Sequence, residues 1–260
     1  MKRGVPGVDV FPFELLYEEH QRIAAEAEKQ GVTMRLLGAL AFSLRCPQYA
    51  QLRGEMGRQL TDLDYVALSK QWDDIVGLLT SLDYSFDERR AMLHGHDRVI
   101  FFHPSGLRVD IFFDRLDMCH VVDLRDRLVV DPDTISLADM LLEKMQIVRI
   151  TDKDIIDTII LFLEHQVTST DEGINADYVA PRLAHDWGFY HTATTNLRRI
   201  REEFVNHYDL LSDSDRRTVQ DRIEQVLDRI EAEPKTLNWK MRARIGTSMK
   251  WYQDVGELVR

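Results

Sequence analysis

The chain has 260 residues, 44% of them hydrophobic and 30% charged, an ordinary globular composition with room for one large domain or two modest ones. A formal charge of −11 argues against a protein that coats nucleic acid through bulk electrostatics. No apolar run approaches the ~20 residues of a membrane-spanning helix, and the opening Met1-Lys2-Arg3-Gly4-Val5-Pro6 lacks the apolar core of a secretory signal. The two cysteines, Cys46 and Cys119, form no Cys-x-x-Cys spacing, so a cytoplasmic location is expected, with neither a zinc site nor a disulfide framework. The charge is polarised: from Lys235 onward the balance is +4, and before it −15.

Taken in order, residues 13 to 30 carry Leu15, Leu16, His20, Ile23, Ala24 and Ala27 at helical spacings, with Gly31 as a stop. Met34 to Leu37 reads as a short buried strand entering a helix at Gly38-Ala39-Leu40-Ala41-Phe42, which ends before Cys46-Pro47. A glycine between a strand and a helix N-terminus can make room for phosphate, because free amides and the helix dipole favour an anion there. A tight turn explains the same residues. Arg53 and Arg58 follow in a loop or short helix leading to Thr61-Asp62-Leu63-Asp64-Tyr65-Val66.

In an extended strand Asp62 and Asp64 point the same way, about 6 to 7 Å apart. Residues 70 to 82 place Trp72, Ile75, Val76, Leu78, Leu79 and Leu82 on a helical period, and with Tyr84 beyond they suggest a βαβ-type unit. Arg98 to Phe102 and Leu107 to Phe113 read as a hairpin across His103-Pro104-Ser105-Gly106. In its second arm Leu107, Val109, Ile111 and Phe113 form one apolar face, leaving Asp110 on the other beside Arg108 and Phe112.

Three carboxylates converge if the two strands are neighbours. Bare carboxylates about 4 Å apart repel by roughly 4 kcal/mol at an effective dielectric of 20, so the cluster calls for compensation. A divalent cation such as Mg2+ or Mn2+ is the first candidate, being content with one or two carboxylates plus water and substrate phosphate. The chemistry expected from such a site is phosphoryl or nucleotidyl transfer. A solvated strand edge is the bland alternative.

After a probable-strand pattern at Arg127 to Val130, the class of structure changes to helices. These are expected from Thr134 or Ser136 through Ile147, with Lys144 exposed; from Asp152-Lys153-Asp154 through Leu163; and over Asn175 to Trp187, Thr192 to His207, Ser212 to Glu233 and the basic tail after Leu237. A boundary near Asp131-Pro132-Asp133 divides a core of residues 1–133 from a helical region of residues 134–260. His94, His96, His103, His120, His185 and His191 have surface or core roles as their plainest reading. Trp239, Trp251 and Tyr252 beside the tail cations could grip RNA by stacking, or simply be packed rings.

This order of signals resembles the nucleotidyltransferases of the DNA polymerase β superfamily, and within them the AbiEii-type toxin nucleotidyltransferases, over roughly residues 33 to 165. The residues that carry it are Gly38-Ala39 after a strand, Arg58 ahead of Asp62-Leu63-Asp64, Asp110 in a later hairpin strand, and Leu141-Leu142-Glu143-Lys144-Met145-Gln146 followed by Asp154-Ile155-Ile156-Asp157. The resemblance implies an α/β (α+β) fold, a nucleotidyltransferase-type mixed sheet flanked by helices, followed by an all-helical C-terminal region that closes the cleft. It implies metal held by Asp62, Asp64 and Asp110, the last also activating the acceptor hydroxyl.

It further implies a nucleoside triphosphate contacted through Gly38, Ala39, Arg58 and Lys144, with Asp154 or Asp157 orienting the lysine. The acceptor would be a tRNA end, a protein hydroxyl or an aminoglycoside-like molecule, and a cognate antitoxin is an implied partner. Where the family has Gly-Gly or Gly-Ser, this chain has Gly38-Ala39, which offers no hydroxyl to a phosphate. A catalytically degenerate binding scaffold is therefore the competing expectation.

Overall fold

The structure, a computed structural model, describes residues 9–87 and 97–255. His94 and His96 lie outside the described residues. The fold is mixed α/β: a five-stranded mixed sheet with helices in the N-terminal part, then a mostly helical C-terminal region. Contacts divide the chain into two compact units. The first comprises Met1–Leu44, Gln59–Leu116 and Asp123–Ile135; the second comprises Arg45–Arg58, Asp117–Val122 and Ser136–Arg260. The sheet unit ends at Ile135, and the segments at 45–58 and 117–122 belong with the second unit.

In the sheet unit, α1 (Phe13–Gln30) closes on Gly31 in the left-handed region, and β1 (Met34–Leu37) runs directly into α2 (Gly38–Arg45). After α3 (Ala50–Glu55), which belongs to the second unit, the sheet unit resumes with β2 (Leu63–Ala67), α4 (Trp72–Ser81) and β3 (Ser85–Phe86). The hairpin β4 (Arg98–Phe102) and β5 (Arg108–Phe113) follows; β6 (Arg115–Asp117) and β7 (Val121–Asp123) come next, at either end of the 117–122 segment that belongs to the second unit.

Strand order in the main sheet is β1-β2-β5-β4-β3. β2 and β5 are parallel, and the β1–β2, β4–β5 and β3–β4 pairs are antiparallel. β3 therefore runs parallel to β2 with β5 and β4 between them, so α4 belongs to a long crossover, as the periodicity of residues 70 to 82 implied. Register decides which side chains share a face. Leu63, Tyr65 and Ala67 stand beside Val109, Ile111 and Phe113, all buried.

The helices α1 and α4 cover this apolar face. His20 of α1 hydrogen-bonds the Tyr65 hydroxyl at 2.9 Å, and the Trp72 ring of α4 packs 4.8 Å from that of Phe113. The His20 ring also spans to the half-exposed Asp133, Nε2 to Oδ1 at 2.8 Å, so both nitrogens of this buried ring are hydrogen-bonded. Alternate residues Asp64, Val66, Arg108, Asp110 and Phe112 occupy the opposite face. Hydrophobic alternation along two strands thereby fixes where the acids emerge.

The second unit contains α5 (Leu137–Met145), capped by Ser136, whose hydroxyl accepts from the Asp139 amide, and α6 (Asp152–Glu164), which Thr151 and Asp154 start with a reciprocal capping box. Beyond them lie β8 (Val167–Thr168) paired in parallel with β9 (Ile174–Asn175), then α7 (Ala176–His185), α8 (Trp187–Glu202), α9 (Asp213–Ala232) and α10 (Leu237–Ile245). The β8–β9 pair makes this region mostly rather than wholly helical.

Two further expectations are corrected. Residues 127–130 form turns, not a strand: the Arg127 amide bonds the Leu124 carbonyl and the Val130 amide that of Arg127, leaving Val129 83% exposed. The break between the helices at 175 and 192 falls at Asp186, whose carboxylate caps α8 through the Phe189 amide at 3.0 Å. The first helix therefore ends at His185 rather than Trp187, and the second begins at Trp187 rather than Thr192.

His120, in the helical unit, is stacked on Phe189 with ring centroids 5.1 Å apart and holds Thr192 Oγ1 through Nε2 at 2.8 Å. Burial drives its pKa down to about 4, with Asp186 pulling weakly the other way. A lowered histidine stays neutral in the fold while the unfolded chain takes up a proton, so its contribution is whole above pH 6.5 and is lost as pH falls through about 4. Urea denaturation should show wild type losing about 2 to 3 kcal/mol more across that window than His120→Gln.

Candidate functional site

The acids expected from the sequence meet on one face of the sheet. Asp64 is the register partner of Asp110 on the neighbouring parallel strand, and Asp62, one residue before β2, shares the Asp64 face by alternation. Extending the same register sets Arg108 beside Asp62. Asp110 is only 1% exposed, whereas Asp62 and Asp64 are partly open.

Two arginines are woven into this cluster. The Arg108 guanidinium pairs through Nη2 with Asp62 Oδ2, and its Nε lies 3.3 Å from Asp110 Oδ1. Arg98 pairs through Nη2 with Asp110 Oδ2 and stacks over the Phe112 ring at 4.9 Å. Thr61 Oγ1 donates to Asp62 Oδ1 at 2.8 Å. The fit is incomplete: Asp110 Oδ1, Arg108 Nε and Arg98 Nε are all buried without an aligned hydrogen-bond partner. Burial pushes the Asp110 carboxyl above its ordinary value, against the pull of Arg98 and Arg108. For Arg108, burial lowers the pKa, but Asp110, Asp62 and Asp64 together outweigh it and the net shift is upward.

Gly38 stands at the junction of β1 and α2 with φ +69°, a conformation L side chains rarely adopt. A Cβ there would collide with the Asp64 carboxylate. The glycine expected to admit phosphate therefore admits the Asp64 side chain. Ala39 and Ser43 are buried, and Ser43 Oγ donates back to the Ala39 carbonyl at 3.2 Å. Gly38→Ala should cost about 1 to 3 kcal/mol in chemical denaturation, from backbone strain and from displacement of Asp64.

The remaining candidates assemble in the helical unit around Asp157, which is fully buried. Arg53 reaches its Oδ1 through Nε at 2.9 Å and Nη2 at 2.8 Å; Arg58 Nε lies 3.2 and 3.1 Å from its two oxygens; Lys144 Nζ is 3.3 Å from Oδ2. Lys144 also meets Glu143 at 2.8 Å and Asp154 at 3.9 Å. The lysine expected to be exposed is thus only 6% exposed, because Glu143, Asp157 and Asp154 offset its burial and leave its pKa raised.

Burial alone would raise the Asp157 carboxyl, but Lys144, Arg53 and Arg58 prevail and hold it below the ordinary carboxylate value. Of the two acids named for Lys144, Asp157 lies nearer, at 3.3 Å against 3.9 Å for Asp154. Asp154 itself is tied to the Thr151 amide and hydroxyl at 3.1 and 2.7 Å.

No family model matches the chain, and no curated protein matches it.

The donor chemistry of the sheet cluster suits a hard divalent cation: its acidic groups are carboxylates, and one buried oxygen, Asp110 Oδ1, is unmatched by any hydrogen bond. As the side chains stand, no three His, Cys, Asp or Glu residues among the described ones form a ready cage. The guanidiniums of Arg98 and Arg108 occupy that ground. Arg108 was legible beside Asp110 from strand alternation. Arg98 was not, since its place depends on the β4–β5 register.

In the tail, Trp239 packs edge-on against Tyr190 at 5.0 Å, and Trp251 against His191 at 5.1 Å while donating to Thr192 Oγ1 at 3.1 Å. Both rings are engaged in packing within the helical unit. Among the described residues no helix is long and apolar enough to cross a membrane.

Proposed function

We propose that this chain is a metal-dependent nucleotidyltransferase, moving a nucleoside monophosphate from a nucleoside triphosphate to an acceptor hydroxyl. The observation that carries the reading is the register of β2 on β5, which sets Asp64 beside Asp110 with Asp62 on the same face. Asp62, Asp64 and Asp110 would hold Mg2+ or Mn2+. Such an ion, when bound, supplies positive charge against the attacked phosphate.

The protein's own groups do the rest. Asp110, its carboxyl raised by burial, takes the proton from the acceptor hydroxyl. That oxygen bonds to the α-phosphorus as the bond to pyrophosphate breaks, and pyrophosphate leaves with the electron pair. The α2 N-terminus at Gly38 adds the positive end of a helix dipole near this face. Arg98 and Arg108 supply further positive charge on the same face.

The test is incubation with each α-labelled nucleoside triphosphate, Mg2+ or Mn2+, and in turn total tRNA, cell protein and an aminoglycoside. Label should pass to one acceptor class. Transfer to tRNA or protein would support a toxin role, to be paired with a search for an antitoxin. A second reading, a catalytically degenerate scaffold, is favoured by Ala39 and by the arginine pairing of Asp62 and Asp110; persistent absence of transfer with every acceptor would favour it.

A further inference from the structure

We propose that Arg98 and Arg108 are resident counter-ions that latch the acidic cluster, and that a divalent cation loads only as these guanidiniums swing away. This rests on the nucleotidyltransferase reading of the same site and adds its regulation. Three observations carry it.

Each arginine reaches the cluster from a partly solvent-exposed position, with 25% of the Arg98 and 37% of the Arg108 side chain accessible, while Asp110 is buried to 1%. The carboxylate is therefore held in place, and the cations have room to leave. The pairing is also strained for choice. Arg108 is divided between Asp62 and Asp110, and Nε, 3.3 Å from Asp110 Oδ1, is not aligned to hydrogen-bond it. Arg98 Nε is likewise buried without a partner. A guanidinium fork optimally matched to one carboxylate would make two parallel bonds, and neither arginine does so here.

The charge balance then explains why the exchange is useful. Among these described residues, three carboxylates and two guanidiniums leave one negative charge, so the arginines offset most of the repulsion within the cluster. Once an ion displaces them, the two arginines remain on the same face of the sheet, where a triphosphate tail is attracted to them instead. The latch thus couples metal loading to nucleotide capture, and keeps the carboxylates from repelling one another beforehand.

The experiment is Mn2+ titration of the full chain, followed by electron paramagnetic resonance of the free ion and by isothermal calorimetry, without nucleotide. Wild type, Arg108→Gln, Arg98→Gln and Asp64→Asn are compared, each first checked for a native circular-dichroism spectrum. Removing either competing cation should tighten Mn2+ binding about tenfold, the order of one lost charge interaction at close range, and Asp64→Asn should abolish it.

Should Asp64→Asn abolish binding while both arginine variants bind as wild type does, or more weakly, the latch is wrong and the metal site stands. Should Asp64→Asn bind as tightly as wild type, or should no variant bind at all, the metal site itself is wrong and the latch falls with it. Two arginine variants are used so that misfolding of one leaves the other to decide.

Discussion

Asp157→Ala is expected to destabilise the helical unit by about 3 to 5 kcal/mol, the range for deleting one partner of a buried ion pair and leaving its counter-charge behind. Here three counter-charges remain. Arg53, Arg58 and Lys144 all converge on the Asp157 carboxylate, whose residue is fully buried. Urea denaturation should show a lowered midpoint with little change in slope. Because the native carboxyl is held below its ordinary value of 3.8, its contribution is present above that pH and disappears as pH falls through the native value.

Wild type and variant should therefore converge only in strong acid. A double variant, Asp157→Ala with Arg53→Met, should lose less than the sum of the two single changes, since the second removes a cation stranded by the first. A strictly additive result would mean that Arg53 draws its stability from something other than Asp157.

Asp110→Asn is expected to leave the fold nearly intact while abolishing the proposed nucleotidyl transfer, with a fall of a thousandfold or more, the order of losing a principal electrostatic contributor. Burial already disfavours the charged form of Asp110 in spite of Arg98 and Arg108. A neutral side chain of the same shape should therefore stay within about 1 kcal/mol of wild type. Parallel measurement of label transfer and denaturation separates the two roles. Transfer at the wild-type rate would remove Asp110 from the chemistry; a large loss of stability with no effect on transfer would make it a purely structural acid.

Much of the architecture was readable locally. The helix at residues 13 to 30, the strand into Gly38, the helix after Gln71 and the hairpin carrying Asp110 all follow from period and stop signals, and the structure has them within a few residues. The readings that failed share a cause. Residues 127–130 carry strand-like residue types, yet two successive turn hydrogen bonds formed there. The expected break between two helices moved to Asp186 because its carboxylate satisfies the Phe189 amide, which apolar spacing does not register. Lys144 looked like a surface lysine because its compensation by Glu143, Asp157 and Asp154 depends on how α5 and α6 pack.

The amino-acid order by itself determined that Asp62 and Asp64 share a face, that Asp110 opposes the apolar side of its strand and that Gly38 sits at a strand-to-helix junction, since these follow from alternation and backbone freedom within a few residues. Tertiary structure alone decided that β2 lies parallel to β5 with Asp64 level with Asp110, and that Arg98 comes to that carboxylate from a third strand. It also decided that Asp157 gathers three cations from separate segments. Pairing register and burial are properties of chain segments brought together over long sequence distances, and a local pattern carries no record of which segment will arrive.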